Sequence, residues 1–272
     1  MPKRTRLDVL LAEQGLAESR EKAQRLIRAG QVTVDGRRID KPGTAVQPQA
    51  RIELSALGPR FVSRGGEKLQ GALERFGLDP KGRTCLDLGA STGGFTDCLL
   101  QAGARRVYAV DVGHGQLHER LRADPRVVLR EGLNARNLDL AAVDGERIDF
   151  CTADLSFISL LKVAAAAARV LAPGAILVAL VKPQFEAGRR HVRRGGRVAD
   201  PAAHREALGG VVAGIAAEGF DFQDVCPSPL RGPAGNREYL AWFRRTGEGP
   251  GRSPAAGRVE AVVAEAFAEA AR

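Results

Sequence analysis

The sequence predicts an α/β protein: a mostly parallel sheet with helices on both faces, preceded by a small α+β module. Three observations carry this. From Thr84 onward, short apolar runs alternate with helical patterns, the order that lays parallel strands beneath crossover helices. Before residue 60 the pattern is instead two short amphipathic helices and a hairpin. Charge divides at the same place: of a formal net charge of +9, residues 1–60 carry +5 and the much longer remainder only +4.

In the N-terminal segment, residues 6–14 read as a helix with Leu7, Leu10 and Leu11 on one face, ended by Gly15. Ser19 is placed to cap a second helix through Gln24, Leu26 and Ile27, with Gly30 just past its end. Val32 and Val34 alternate with polar residues, and Asp35-Gly36 is a hairpin turn. Arg20, Lys22, Arg25 and Arg28 fall along the second helix; Arg37 and Arg38 follow the turn. A solvated basic face explains this pattern, and so does a polyanion partner. Residues 58–61 read as a linker, so the domains are set at 1–57 and 62–246, with a tail at 247–272.

In the larger segment, residues 84–88, 107–112, 127–129, 148–153 and 175–181 read as apolar strands. Residues 94–102, 159–171 and 201–218 read as helices, and 220–226 and 238–243 as closing strands. Beyond a Gly-rich tether, Val259, Val262, Val263, Ala266, Phe267 and Ala270 keep helical spacing, which predicts a C-terminal amphipathic helix packed on this domain.

Composition excludes several classes. Hydrophobic residues are 44% and charged residues 27%, an ordinary globular balance. No apolar run approaches the ~18 residues of a membrane helix, and the first eight residues carry charge straight through, unlike a secretory leader. A cytoplasmic location away from membranes is expected. Cys85, Cys98, Cys151 and Cys226 contain no C-x-x-C pair, and the His residues complete no zinc pattern, so no metal is expected. A second basic cluster lies at 186–197, with five Arg against one Glu.

In open α/β sheets, ligands bind outside the carboxyl ends of the strands. Asp87, Asp111, Asp154 and Lys182 each follow or close an apolar run, so all four are expected to face one crevice. The loop from Asp87 to Phe95 is Gly-rich, yet it is neither a dinucleotide fingerprint nor a P-loop. Its glycines let a ligand approach the backbone, and the following helix N-terminus favours a carboxylate. Asp111 is placed to accept hydrogen bonds from ribose hydroxyls. An amino-acid carboxylate plus adenosine, without a diphosphate cradle, suggests S-adenosylmethionine.

Two sets of motifs carry a family resemblance. Arg6-Leu-Asp-x-Leu-Leu, Gly15-Leu-Ala-x-Ser-Arg and Ala29-Gly-Gln-Val-x-Val-Asp-Gly resemble an S4 RNA-binding domain. Phe61-Val-Ser-Arg-Gly-Gly-Glu-Lys-Leu69, Asp87–Phe95, Asp111-Val-Gly-His-Gly-Gln-Leu117, Ala153-Asp-Leu-Ser-Phe-Ile-Ser159, Val181-Lys-Pro-Gln-Phe-Glu186 and Ser228-Pro-x-x-Gly-Pro-x-Gly-Asn-x-Glu238 complete the pattern. The whole chain resembles the TlyA family, an S4 domain fused to an FtsJ-like ribose methyltransferase. The resemblance implies a Rossmann-like class I fold that uses S-adenosyl-L-methionine to methylate the 2′-OH of cytidines in ribosomal RNA. Large-subunit RNA is the first candidate and small-subunit RNA the second.

That family's Lys-Asp-Lys-Glu tetrad falls on Lys68, Asp154, Lys182 and Glu238. Lys182 is expected to activate the hydroxyl and Lys68 to orient it, since lysines shift readily when buried beside other cations. Cofactor contacts are expected at Asp87, Gly89, Ala90, Ser91, Thr92, Gly93, Gly94, Phe95, Asp111, Val112, Asn134 and Asp154. RNA contacts are expected at Arg4, Arg20, Lys22, Arg25, Arg28, Arg37, Arg64, Arg189, Arg190, Arg193 and Arg194.

Other readings stay open at this point. Haemolysins share the family, but the chain lacks a spanning segment, and the glutamates of the C-terminal helix would repel anionic lipid. A non-catalytic ribosome assembly factor would bind RNA without the cofactor. A nicotinamide-dependent oxidoreductase fails at the loop.

Overall fold

The computed structural model describes residues 4–28, 30–54, 60–232, 235–247, 249–253 and 257–268, with the Arg189 side chain left aside. The chain forms two compact units, Met1–Arg60 and Phe61–Arg272. Residues 58 and 59 of the expected linker fall outside the described residues, as do Glu269 and Ala270 of the tail.

The first unit runs β1 (Thr5–Arg6), α1 (Leu7–Glu13), α2 (Arg20–Arg28), β2 (Val32–Val34), β3 (Arg37–Arg38), β4 (Ala45–Val46) and β5 (Ile52–Leu54). Leu7, Leu10 and Leu11 are buried with Ala23, Ile27, Val32, Val34 and Val46, so the predicted helix faces make this core. Ser19 Oγ accepts from Lys22 N at 3.1 Å, the capping bond expected there. The hairpin turn places both Asp35 and Gly36 at positive φ, 49° and 73°, the geometry that matches strand twist in two-residue turns. The pairings of β2 with β5 and of β1 with β4 were not foreseen; both join residues far apart in sequence. One carboxylate lies inside this unit. Asp8 is fully buried and accepts from Arg6, Arg20 and Gln24. The hydrogen bond from Arg6 is the main reason its carboxyl is held well below the usual range.

The second unit continues with α3 (Gly65–Phe76), β6 (Thr84–Leu88), α4 (Gly94–Gln101), β7 (Arg106–Val110), α5 (Glu119–Arg122), β8 (Val127–Arg130) and β9 (Ile148–Ala153). It ends with α6 (Leu161–Val170), β10 (Leu171–Val181), α7 (Pro183–Glu186), α8 (Pro201–Ala217), β11 (Phe220–Pro227), β12 (Tyr239–Arg245) and α9 (Arg258–Ala268). The sheet order is β11-β12-β10-β9-β6-β7-β8. The run from β10 to β8 is parallel, and β12 pairs antiparallel with both β10 and β11. The mostly parallel sheet therefore has an antiparallel edge. Two apolar layers cover it: one contains α6, α8 and α9 residues, the other α3 and α4 residues. Val262 and Val263 of α9 are fully buried in the first layer.

Strand order reverses around β6: the chain moves out through β7 and β8, then returns to β9 on the other side. That is a switch point, where open α/β sheets leave a crevice. Asp154 N donates to Leu88 O at 2.9 Å there, so the two strand ends are fixed to each other at the mouth of the crevice.

Candidate active site

A cleft of about 1190 Å³ opens at this switch point. Of the expected cofactor residues, Gly89, Ser91, Asp111, Val112, Asn134 and Asp154 line it. Asp111 is held rigidly: Oδ2 accepts from Ser91 N at 2.8 Å and Oδ1 from Gly113 N at 2.7 Å. Both oxygens keep lone pairs for a further donor. Asn134 Oδ1 accepts from Arg136 N; its amide group is the remaining polar handle on that wall. Gly89 has φ +83°, and a Cβ there would lie 2.5 Å from Asp154 O. Glycine is required at this contact because the loop crosses directly over the end of β9.

Several expectations need correction. Asp87 does not face the crevice. It sits one residue inside β6, fully buried, and accepts from Thr96 Oγ1 at 2.7 Å and Thr152 Oγ1 at 3.0 Å. Burial pushes its carboxyl up to about 6. Strand alternation explains the error: the side chain preceding Leu88 turns under α4. Ala90, Thr92, Gly93, Gly94 and Phe95 are not on the cleft wall. Gly94 packs against Ser63 and α3, and Phe95 is a core residue, so the start of α4 is covered by protein.

The four tetrad residues form two ion pairs, one buried and one half-buried. Lys68, on α3, donates to Glu238 Oε2 at 2.6 Å, with both side chains almost wholly buried. Lys182, following β10, lies 2.6 Å from Asp154 Oδ1 and donates to Ser156 Oγ at 2.9 Å. The Asp154 contact is an ion pair without an aligned hydrogen bond; Oδ1 accepts none. Gln184, two residues after Lys182, reaches Glu238 Oε1 with its Nε2 at 3.5 Å. Its Oε1 is buried without a hydrogen-bond partner, so an acceptor is left open on a residue that lines the cleft.

Sequence reasoning missed Ser156, Gln184, Phe157 and Phe185, although all four lie in quoted motifs. Phe157 is 92% exposed at φ +64°, an outlying conformation for a bulky residue. It stands 5.2 Å, ring to ring, from Phe185 at the rim of the cleft. Glu186 accepts from Leu160 N at 2.9 Å, tying this rim to the start of α6.

Among the expected RNA contacts, Arg4, Lys22, Arg25, Arg28 and Arg37 are exposed on the first unit. Arg20 is exposed as well but spends Nε on Asp8. In the second unit Arg64 donates to Arg231 O, and Arg190 pairs with Glu206 at 3.0 Å. Arg193 and Arg194 are exposed on a tight turn; the Arg189 side chain lies outside the described residues. All four cysteines are buried. No group of three or more metal-ligating side chains and no helix long and apolar enough to cross a membrane occurs among the described residues.

A switch-point cleft on a Rossmann-like sheet, with two lysine–carboxylate pairs at hand, has the build of an enzyme site. Known proteins narrow the class. Residues 61–245 match the FtsJ-like methyltransferase family, and residues 5–52 match the S4 domain. The 16S/23S rRNA (cytidine-2′-O)-methyltransferase TlyA of Mycobacterium tuberculosis is 47% identical over 90% of this chain and 91% of its own. Hemolysin A of Brachyspira hyodysenteriae is 42% identical over 88% of this chain and 99% of its own. A solved structure described as a haemolysin from Streptococcus thermophilus has a TM-score of 0.78 at 41% identity, covering 100% of this chain and 98% of that one. The chain belongs to the TlyA family of S4-bearing, FtsJ-like methyltransferases.

Proposed function

We propose that the protein transfers a methyl group from S-adenosylmethionine to the 2′-OH of a cytidine in ribosomal RNA. Large-subunit RNA is the first candidate and small-subunit RNA the second, with the reaction in the cytoplasm. Two lysine–carboxylate pairs, Lys182–Asp154 and Lys68–Glu238, carry this reading, together with the reach of Gln184, a cleft-lining residue, to Glu238.

The cleft suits the cofactor. Asp111 offers fixed acceptors for ribose hydroxyls, and Asn134 an amide beside the apolar Val110 and Leu133 for a purine. Gly89 leaves the backbone open where a Cβ would meet Asp154 O. The bound cofactor would supply an electrophilic methyl on a sulfonium. The protein must then hold the hydroxyl in line and help its proton leave. Asp154 and Ser156 aim Lys182 Nζ, which activates the hydroxyl. Lys68, fixed by Glu238, orients and polarises it. A ribose within a helix is inaccessible to such a site, so the target nucleotide is unpaired or flipped. Phe157, exposed on the rim, is the platform for its base.

The haemolysin reading gains nothing from α9, whose apolar residues are buried in the core. Labelled S-adenosylmethionine incubated with purified 30S and 50S subunits tests the proposal. Label in RNA of the 50S subunit is expected. Cofactor binding with no transfer to either subunit would refute the substrate assignment.

A further inference from the structure

The segment leading into Glu238 is tied to the basic turn by buried hydrogen bonds that the reaction itself does not require. Asn236 is 2% exposed. Its Oδ1 accepts from Val198 N at 2.9 Å, and its Nδ2 donates to Gly196 O at 2.8 Å. The other polar group of Val198 is held as well. Val198 O stands 3.1 Å from His204 Nε2, and His204 Nδ1 stands 2.9 Å from the Tyr239 hydroxyl. A carbonyl can only accept, so Nε2 carries the proton and Nδ1 accepts from Tyr239. Burial keeps His204 neutral by lowering its pKa. Residues on both sides of Glu238 therefore grip the same backbone, that of Gly196–Val198.

That backbone closes the turn Arg193–Arg197. Arg193 N donates to Arg197 O at 2.9 Å, and Gly195 and Gly196 take φ of 87° and 77°. Two adjacent glycines would leave such a turn loose without an external anchor. Arg193, Arg194 and Arg197 are exposed, and none of the three is ion-paired with a carboxylate among the described residues. Other cations crowd near: Arg237 loses some basicity, through burial first and then Arg231 and Arg197. An excess of cations with no carboxylate of their own, on a rigid backbone, suits phosphodiester oxygens.

We propose that Asn236 is a positioning residue that locks the turn Arg193–Arg197 in register with Glu238, making the turn a preformed phosphate-binding subsite for the RNA strand that presents its ribose to the tetrad. The proposal rests on the function proposed above. Holding the turn in its bound shape removes an ordering cost from RNA binding. Its effect falls on RNA affinity, and the cofactor cleft is untouched.

The test uses the full-length protein with four changes: Asn236→Ala, Asn236→Asp, the exposed pair Arg193→Gln/Arg194→Gln, and that pair combined with Asn236→Ala. Asn236→Asp keeps the acceptor for Val198 N and loses the donor to Gly196 O. Steady-state methyl transfer gives KM for ribosomal RNA and kcat; titration gives cofactor affinity. RNA binding across a salt series gives the slope of log affinity on log salt. Asn236→Ala and the arginine pair are each expected to raise the KM for RNA about tenfold, with a much smaller change in kcat and unchanged cofactor affinity. Losing two phosphate contacts lowers the salt slope by about 1.5. The combined variant should be no worse than either alone, because both remove the same contact. Effects of the two that multiply, or an arginine pair with wild-type KM and salt slope, would overturn the proposal. A fall in kcat alone for both Asn236 variants would do so too, since it would place Asn236 in support of Glu238 only. Should Asn236→Ala fail to fold, Asn236→Asp and the surface pair still decide. Wild-type protein that binds RNA but methylates none would overturn the proposed function alone, and the binding comparison would still judge the turn.

Discussion

Neutralising one partner of the Lys68–Glu238 pair should damage stability and activity separately. The nitrogen and oxygen are 2.6 Å apart, with side chains 9% and 1% exposed. At an effective dielectric of about 20, their attraction is about 6 kcal/mol. Desolvating two ions costs several kcal/mol each, so the intact pair adds little net stability. Glu238→Gln changes that balance, because Lys68 is left buried without a counter-charge; about 3 kcal/mol or more should be lost. The double change Lys68→Met/Glu238→Leu buries no charge and should fold within about 2 kcal/mol of wild type. Activity should not follow. Both variants should lose about a hundredfold or more in kcat, since neither can orient the hydroxyl. Urea denaturation and single-turnover methyl transfer measure the two quantities on the same preparations. A double variant that regains activity together with stability would refute the reasoning and make the pair a purely structural tie.

Three further outcomes follow from neighbouring residues. Gly89→Ala introduces a Cβ at φ +83°, 2.5 Å from Asp154 O; titration should show cofactor affinity reduced by about tenfold or more, and unchanged affinity would argue against the close approach. The Asp87 carboxyl is raised to about 6, so its contribution to stability is full below about pH 4 and is lost as pH rises through about 6. Asp87→Asn cannot ionise, and its stability relative to wild type should rise by up to about 3 kcal/mol between those limits; denaturation curves that shift in parallel with pH would contradict the burial argument. Phe157→Ala should raise the KM for RNA by about tenfold through lost stacking and leave cofactor affinity alone, as paired kinetic and titration experiments would show.

The sequence carried the central sheet well because its strands are continuous apolar runs. Residues 84–88 and 148–153 form the strands predicted there. It carried short and glycine-rich elements poorly. Leu69, Ala72, Leu73 and Phe76 of α3 keep helical spacing, but the helix opens on Gly65-Gly66, and glycine is a weak helix former. The structure gives the reason for these residues: a Cβ on Gly66 would clash with the Phe61 ring. Strand β7 stops at Val110 rather than running to Val112, because Asp111 turns to bind the amides of Ser91 and Gly113. At the site, spacing alone could not join Lys68 to Glu238, 170 residues apart; the family resemblance suggested it, and the fold brings them into contact. Strand-end logic put Asp111 and Asp154 at the crevice, and both line the cleft; Lys182 lies against Asp154. It failed for Asp87, where alternation along β6 decides which way the side chain points. Ser156 and Gln184 were hidden because a hydroxyl and an amide have no distinctive spacing, and only the positions of the lysines give them a role.

The proposed reaction turns on Lys182, aimed by Asp154 and Ser156 at a ribose hydroxyl. The most direct measurement is methyl transfer to ribosomal subunits by wild type and Lys182→Ala, followed by alkaline hydrolysis of the RNA, with cofactor binding checked in both proteins. A 2′-O-methyl group blocks cleavage at its own phosphodiester, so label is expected in one alkali-resistant dinucleotide with wild type and none with Lys182→Ala that still binds cofactor. Label that hydrolyses to mononucleotides, or an alkali-resistant product undiminished in the variant, would contradict it.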